Sequence, residues 1–68
     1  MMSTKVQAFL LRKSREDKRL SREALARKAD VSASLVEKLE RGERTITYPI
    51  SRKLGKALRV SWQKLCQQ

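Results

Sequence analysis

Few kinds of side chain in this sequence could carry chemistry, and the kinds that are missing narrow the field first. Histidine is absent, and Cys66 is the single cysteine. Neither a Ser-His-Asp nor a Cys-His catalytic set can be assembled from such a chain. A disulfide is excluded, and so are the four Cys or His ligands of a structural zinc. Cys66 reads as an inert free thiol that suits a reducing compartment. No metal, cofactor or small-molecule site is apparent, and no enzymatic activity is expected. What the chain has in quantity is positive charge: 17 Lys and Arg against 7 Asp and Glu, a net +10 on 68 residues. The chemistry these residues offer is the binding of anions.

The charge is unevenly placed. Residues 1–29 hold nine cations opposed only by Glu16, Asp17 and Glu23, and residues 30–48 are slightly acidic. From Pro49 onward come Arg52, Lys53, Lys56, Arg59 and Lys64 with no acid at all. A solvated, self-repelling surface is the bland reading. Nothing internal offsets that repulsion, whereas a polyanion would, and nucleic acid fits best. An anionic membrane would want bulky apolar residues opposite a basic helical face, which residues 6–11 offer only faintly. No run approaches the ~18 apolar residues of a membrane span, and no apolar leader precedes the first helix. A cytoplasmic protein is expected, with no membrane partner.

The elements that must position these charges are helical. Good helix formers fill 4–17 behind Ser3 or Thr4 as a cap. Within them Ala8, Leu11 and Arg15 share one face, and Val6, Phe9 and Leu10 a neighbouring one. Ser21 caps a second helix through Leu25 and Ala29, which the turn 30–32 interrupts. Ser32 then caps a third over 33–41, with Gly42 as its stop. Residues 43–47 read as a loop. Pro49 suits the first turn of a fourth helix, where Ile50, Leu54, Ala57 and Leu58 recur at i, i+4, i+7, i+8. Ser61 caps a last short helix with Trp62 and Leu65. The expectation is an all-α, compact five-helix bundle filling 1–68 as one domain.

The stretch 21–41 is the informative one: helix, short break, helix. A helix-turn-helix needs a small residue where its two helices touch, here Ala26. It needs a turn residue that tolerates positive φ, here Asp30. Apolar residues must also pack the second helix back on the first, here Val36 and Leu39 against Leu25 and Val31. That geometry leaves the other face of the second helix free to enter a major groove.

Here the sequence resembles the phage repressor and Cro-type helix-turn-helix family, also called the XRE family. The matching segments are Leu20-Ser21-Arg22-Glu23-Ala24-Leu25-Ala26, Val31-Ser32-Ala33-Ser34-Leu35-Val36 and Leu39-Glu40-Arg41-Gly42. A further match runs from Leu54 to Ser61, so the likeness covers roughly 7–65. The resemblance implies a lambda-repressor-like fold. Two family glycines are replaced, by Arg19 and Asp30, and the proline that introduces the fourth helix is shifted by about three places.

Several roles follow from the resemblance. Arg15 and Glu40 stand where the family pairs its first helix with the end of its third. Ala33, Ser34 and Lys38 look like the base-edge readers, with Leu35 and Glu37 beside them. Lys38 can donate to guanine, Ser34 can donate or accept, and Ala33 or Leu35 can touch a thymine methyl. Glu37 either accepts from cytosine or pairs with Arg41 one turn on, and the pair is the preferred reading. Ser21 and Arg22 at a helix N-terminus, with Arg41 and Arg44 beyond the third helix, are the phosphate contacts. Arg52 and Lys53 are placed to extend them. Trp62 and Leu65 read as core residues or, alternatively, as contacts of a homodimer on DNA.

The function implied is a sequence-specific double-stranded DNA-binding regulator of transcription, a repressor or activator. Two alternatives stay open: an antitoxin-type module that binds a toxin and its own promoter, and an architectural or recombination accessory protein.

Overall fold

Each helix begins where a hydroxyl can satisfy its first turn or a proline makes that unnecessary. The computed structural model describes residues 3–66, apart from the side chain of Trp62. Helix α1 spans Thr4–Asp17, and the Ser3 Oγ accepts from the Val6 amide at 3.2 Å. Helix α2 spans Arg22–Ala29 behind Ser21, whose Oγ accepts from the Ala24 amide at 3.0 Å. Helix α3 spans Ala33–Glu40 behind Ser32, which caps the Leu35 amide at 3.0 Å. Helix α4 spans Tyr48–Leu58; Thr47 makes no side-chain cap there, and Pro49 sits in the first turn, where its missing N–H removes no helical bond.

All four helices end alike. The chain swings through a left-handed residue at Arg19 (φ 56), Asp30 (φ 58), Gly42 (φ 73) and Arg59 (φ 58). The next amide then bonds back into the helix: Leu20 to Arg15, Val31 to Ala26, Glu43 to Lys38 and Val60 to Gly55, at 3.0–3.2 Å. This is the Schellman termination, which satisfies otherwise orphaned carbonyls. Only one of the four positions is glycine. For an arginine the left-handed conformation costs about 1–2 kcal/mol, and a cation at a helix C-terminus returns only about 0.3–1 kcal/mol. The Arg19 turn nevertheless keeps the shape that a glycine would give it. Three of the four amides belong to Leu20, Val31 and Val60, which pack against the core and close each turn with an apolar contact.

The core is one cluster containing Leu11, Leu25, Ala26, Ala29, Val36, Leu39, Ile46, Leu54, Leu58 and Leu65. Ala26 and Ala29 let α2 lie close to its neighbours, as the spacing requires. The expected fifth helix is absent: among the described residues there are four α-helices and a single 3-10 turn, Trp62–Lys64. The Ser61 hydroxyl accepts from the Gln63 amide instead of initiating a longer helix. One turn is as much as so short a run sustains, since fixing a first helical turn orders three residues for one hydrogen bond. The chain then delivers Leu65 and Cys66 into the core. Among the described residues no helix is long and apolar enough to cross a membrane.

Candidate nucleic-acid interface

Helix α3 carries two opposed faces. Val36 and Leu39 are wholly buried, while Ala33 and Leu35 are half-buried against the core. Ser34 and Lys38 are exposed, Glu37 is half-exposed, and Arg41 follows in the same row. Positions 34, 37, 38 and 41 recur at i, i+3, i+4, i+7, a single outward stripe. Eight helical residues span about 12 Å, comparable with the width of a B-DNA major groove. Of the five residues expected to read bases, the structure therefore turns Ser34, Glu37 and Lys38 fully to one side. Ala33 and Leu35 flank that stripe, with part of their surface given to packing.

The charges on this stripe are ordered. Glu37 forms an ion pair with Arg41 at 3.1 Å, the i+4 pair preferred from sequence, and Arg41 also reaches Glu43 at 3.7 Å. Lys38 enters no ion pair among the described residues. Its ammonium is thus the cation of the stripe available to an acceptor outside the chain.

The orientation of α3 is fixed from behind by a buried ion pair. The Arg15 Nε donates to Glu40 Oε2 at 2.6 Å and a terminal nitrogen donates to Oε1 at 3.1 Å, a two-pronged contact. The remaining terminal nitrogen donates to the Leu20 carbonyl at 2.7 Å, so the same guanidinium also ties down the turn between α1 and α2. The side chains are 10% and 2% exposed. The Arg15 guanidinium is held above its ordinary pKa chiefly by the hydrogen bond to Glu40; burial pulls the other way, and the charges of Glu40, Glu16 and Glu23 add.

The residues expected to meet phosphate fall in two places. Ser21 and Arg22 stand at the α2 N-terminus, where unpaired backbone N–H groups favour an anion. The Ser21 oxygen caps the helix, which leaves its hydroxyl proton to donate outward. Arg22 has a partner that the sequence reading missed: its Nε donates to Glu40 Oε1 at 3.2 Å. One buried carboxylate therefore holds two guanidiniums, and Arg22 remains half-exposed. Arg41 and Arg44 lie beyond α3, both exposed.

The loop bearing Arg44 is anchored through residues the sequence did not single out. Ile46 is wholly buried. The Gln7 side chain, itself buried, accepts from the Ile46 amide at 2.9 Å and donates to the Ile46 carbonyl at 3.3 Å. Gln7 precedes Leu11 by four residues and Arg15 by eight, so helical periodicity alone places it on the inner face of α1. At the start of α4, Arg52 donates to the Tyr48 hydroxyl at 3.0 Å and lies over its ring at 5.8 Å. Leu65, weighed as core or dimer contact, is wholly buried in this chain's own core. The side chain of Trp62 lies outside the described residues. Val6 and Phe9 are exposed on α1, whereas Leu10 is half-buried against the core.

Comparison with known proteins agrees with this geometry. The sequence matches a family model described as a helix-turn-helix domain over residues 8–65. No curated protein matches the sequence. An HTH_3 family transcriptional regulator from Vibrio cholerae is similar in structure, with a TM-score of 0.87 and 28% identity over 94% of this chain. The present chain spans only 36% of that regulator's length. The restriction-modification controller protein C.AhdI from Aeromonas hydrophila is similar over 93% of this chain and 96% of its own, with a TM-score of 0.87 and 32% identity. With the motif, its bracing and these matches in agreement, the chain belongs to the XRE-type helix-turn-helix family.

Proposed function

We propose that the protein is a sequence-specific double-stranded DNA-binding regulator of transcription that lays α3 along the major groove. The observation that carries this reading is the outward stripe Ser34–Glu37–Lys38–Arg41 on a helix braced from behind by Arg15 and Glu40. A rigid helix presents its donors at fixed spacing, which reading base edges demands. Lys38 and Ser34 supply direct contacts, with the methyl groups of Ala33 and Leu35 beside them. Ser21, Arg22, Arg41 and Arg44 set the register on the phosphates.

The base-reading set is small and lacks the bidentate Arg, Asn or Gln that discriminate most sharply. Specificity then draws on two-fold symmetry and on DNA shape. A homodimer on DNA would place two copies of α3 about 34 Å apart on a pseudo-palindrome. Occupancy of such an operator in the cytoplasm blocks or recruits polymerase, and no catalysis is involved. The two similar structures are described as a transcriptional regulator and a controller protein, which supports a regulatory role over an antitoxin or architectural one.

Selection of bound sequences from a random duplex pool tests this. The expected result is a symmetric site with half-sites one helical turn apart. Lys38→Ala should change the selected sequence, whereas Arg22→Ala should weaken binding to every sequence alike. Equal losses on all sequences for both variants would refute the assignment of the reading face.

A further inference from the structure

The cations of this chain divide into two populations. The ion pairs among the described residues engage Arg12, Arg15, Arg22 and Arg41. None of them engages Lys28, Lys53, Lys56 or Arg59. These four surround a hollow of about 470 Å³ between the end of α2 and the outer side of α4, with Ala29, Asp30 and Ala57 completing its wall. Lys53 and Lys56 also border an adjoining hollow of about 630 Å³ that continues to Arg52 and Ser61. The two hollows share Lys53 and Lys56, and Asp30 is the only acid lining either. No residue of α3 lines either hollow, so both are separate from the reading stripe.

A helix C-terminus attracts cations, and that accounts for some of this clustering. It does not account for Arg59. This residue holds a left-handed backbone that glycine would adopt freely, and the return from the α4 carbonyls is smaller than the strain. Arg19 holds the same conformation away from the hollow, so what sets Arg59 apart is where its side chain lies. Here the side chain adds a fourth cation to the hollow.

We infer that the two hollows form a second anion-binding surface, and that its occupant is the phosphate backbone of DNA flanking the stretch that α3 reads. The inference rests on the proposed DNA-binding function and adds a contact to it. A row of unpaired ammonium and guanidinium groups without a shaped, enclosed cavity matches a linear polyanion, whose condensed counterions are released as each phosphate is neutralised.

The test uses two duplexes, one of about 10 base pairs, a single helical turn, and one of about 30. Binding of the wild-type chain and of Lys28→Gln/Lys56→Gln/Arg59→Asn is measured across a salt series; Asn is chosen because it tolerates left-handed backbone. On the long duplex the slope of log K against log salt should become shallower by about 2.5, since each phosphate contact contributes about 0.9. On the short duplex it should not change. Lys28→Arg/Lys56→Arg, which keeps the charge, should keep the wild-type slope on both. If the triple variant melts below the assay temperature, Lys56→Gln alone should show about a third of the change. An unaltered slope on the long duplex overturns the inference, as does an equal reduction on both lengths. Failure of the DNA-binding function itself looks different: the wild-type chain would then bind neither duplex.

Discussion

Replacing Glu40 with alanine should be among the most damaging single changes to this fold. Glu40 is 2% exposed and receives three hydrogen bonds, two from Arg15 and one from Arg22. Removing it leaves the Arg15 guanidinium buried with the Leu20 carbonyl and a 3.9 Å contact to Glu16. Breaking a buried pair from one side costs about 3–5 kcal/mol, and these surviving contacts place Glu40→Ala near the lower end, about 3 kcal/mol. A domain of this length holds only about 3–10 kcal/mol in all, so a large part of its stability should vanish. With a urea slope of about 1 kcal/mol per molar, the unfolding midpoint should fall by about 3 M. Arg12→Ala, which breaks an exposed pair with Glu16 at 3.3 Å, should cost about 0–0.5 kcal/mol. In 1 M salt the Glu40 loss should persist, because a buried pair is poorly screened. Arg15→Met/Glu40→Leu, which removes both charges, should recover most of it. A Glu40→Ala variant no less stable than Arg12→Ala at either salt concentration would refute the reasoning.

Other outcomes are expected from the same structure. Gln7→Ala should cost about 1–3 kcal/mol, because the buried Ile46 amide loses its acceptor; hydrogen exchange at Ile46 should accelerate more than at Leu25. Gly42→Ala should cost about 1 kcal/mol through backbone strain alone, since an added Cβ would meet Thr4 at an ordinary 3.7 Å. Arg59→Gly should raise thermal stability by about 0.5–1 kcal/mol, relief of strain exceeding the lost interaction with the helix end. The same variant should bind the long duplex more weakly, which separates its two effects.

The helical skeleton was legible because its starts are chemical. Ser3, Ser21 and Ser32 precede their helices in sequence as they do in space. The ends were harder to read. Glycine marks one reversal of four and Asp30, a type that tolerates positive φ, a second; the other two use Arg19 and Arg59, whose type gives no hint of left-handed backbone. A better signal was the apolar residue after each of them, Leu20, Val31 and Val60. The Arg15–Glu40 pair came from family resemblance, since 25 residues separate its partners and no periodicity links them. The Arg22 contact to Glu40 and the Gln7 clamp on Ile46 were invisible for a similar reason. Both depend on where a loop or helix end lands after packing, which local sequence does not encode. The fifth helix was overread from its cap, because a capping serine says where a helix starts and nothing of how far it runs.

The Gln7 clamp has a consequence for how the loop before α4 behaves. A segment pressed into place by apolar contact alone can slide by fractions of an ångström at little cost. A side-chain amide that both accepts from and donates to the backbone of one residue allows no such drift: the segment is seated or it is not. Arg44, two residues upstream of Ile46, therefore swings from a fixed pivot, and whatever it reaches is set by a side chain of α1.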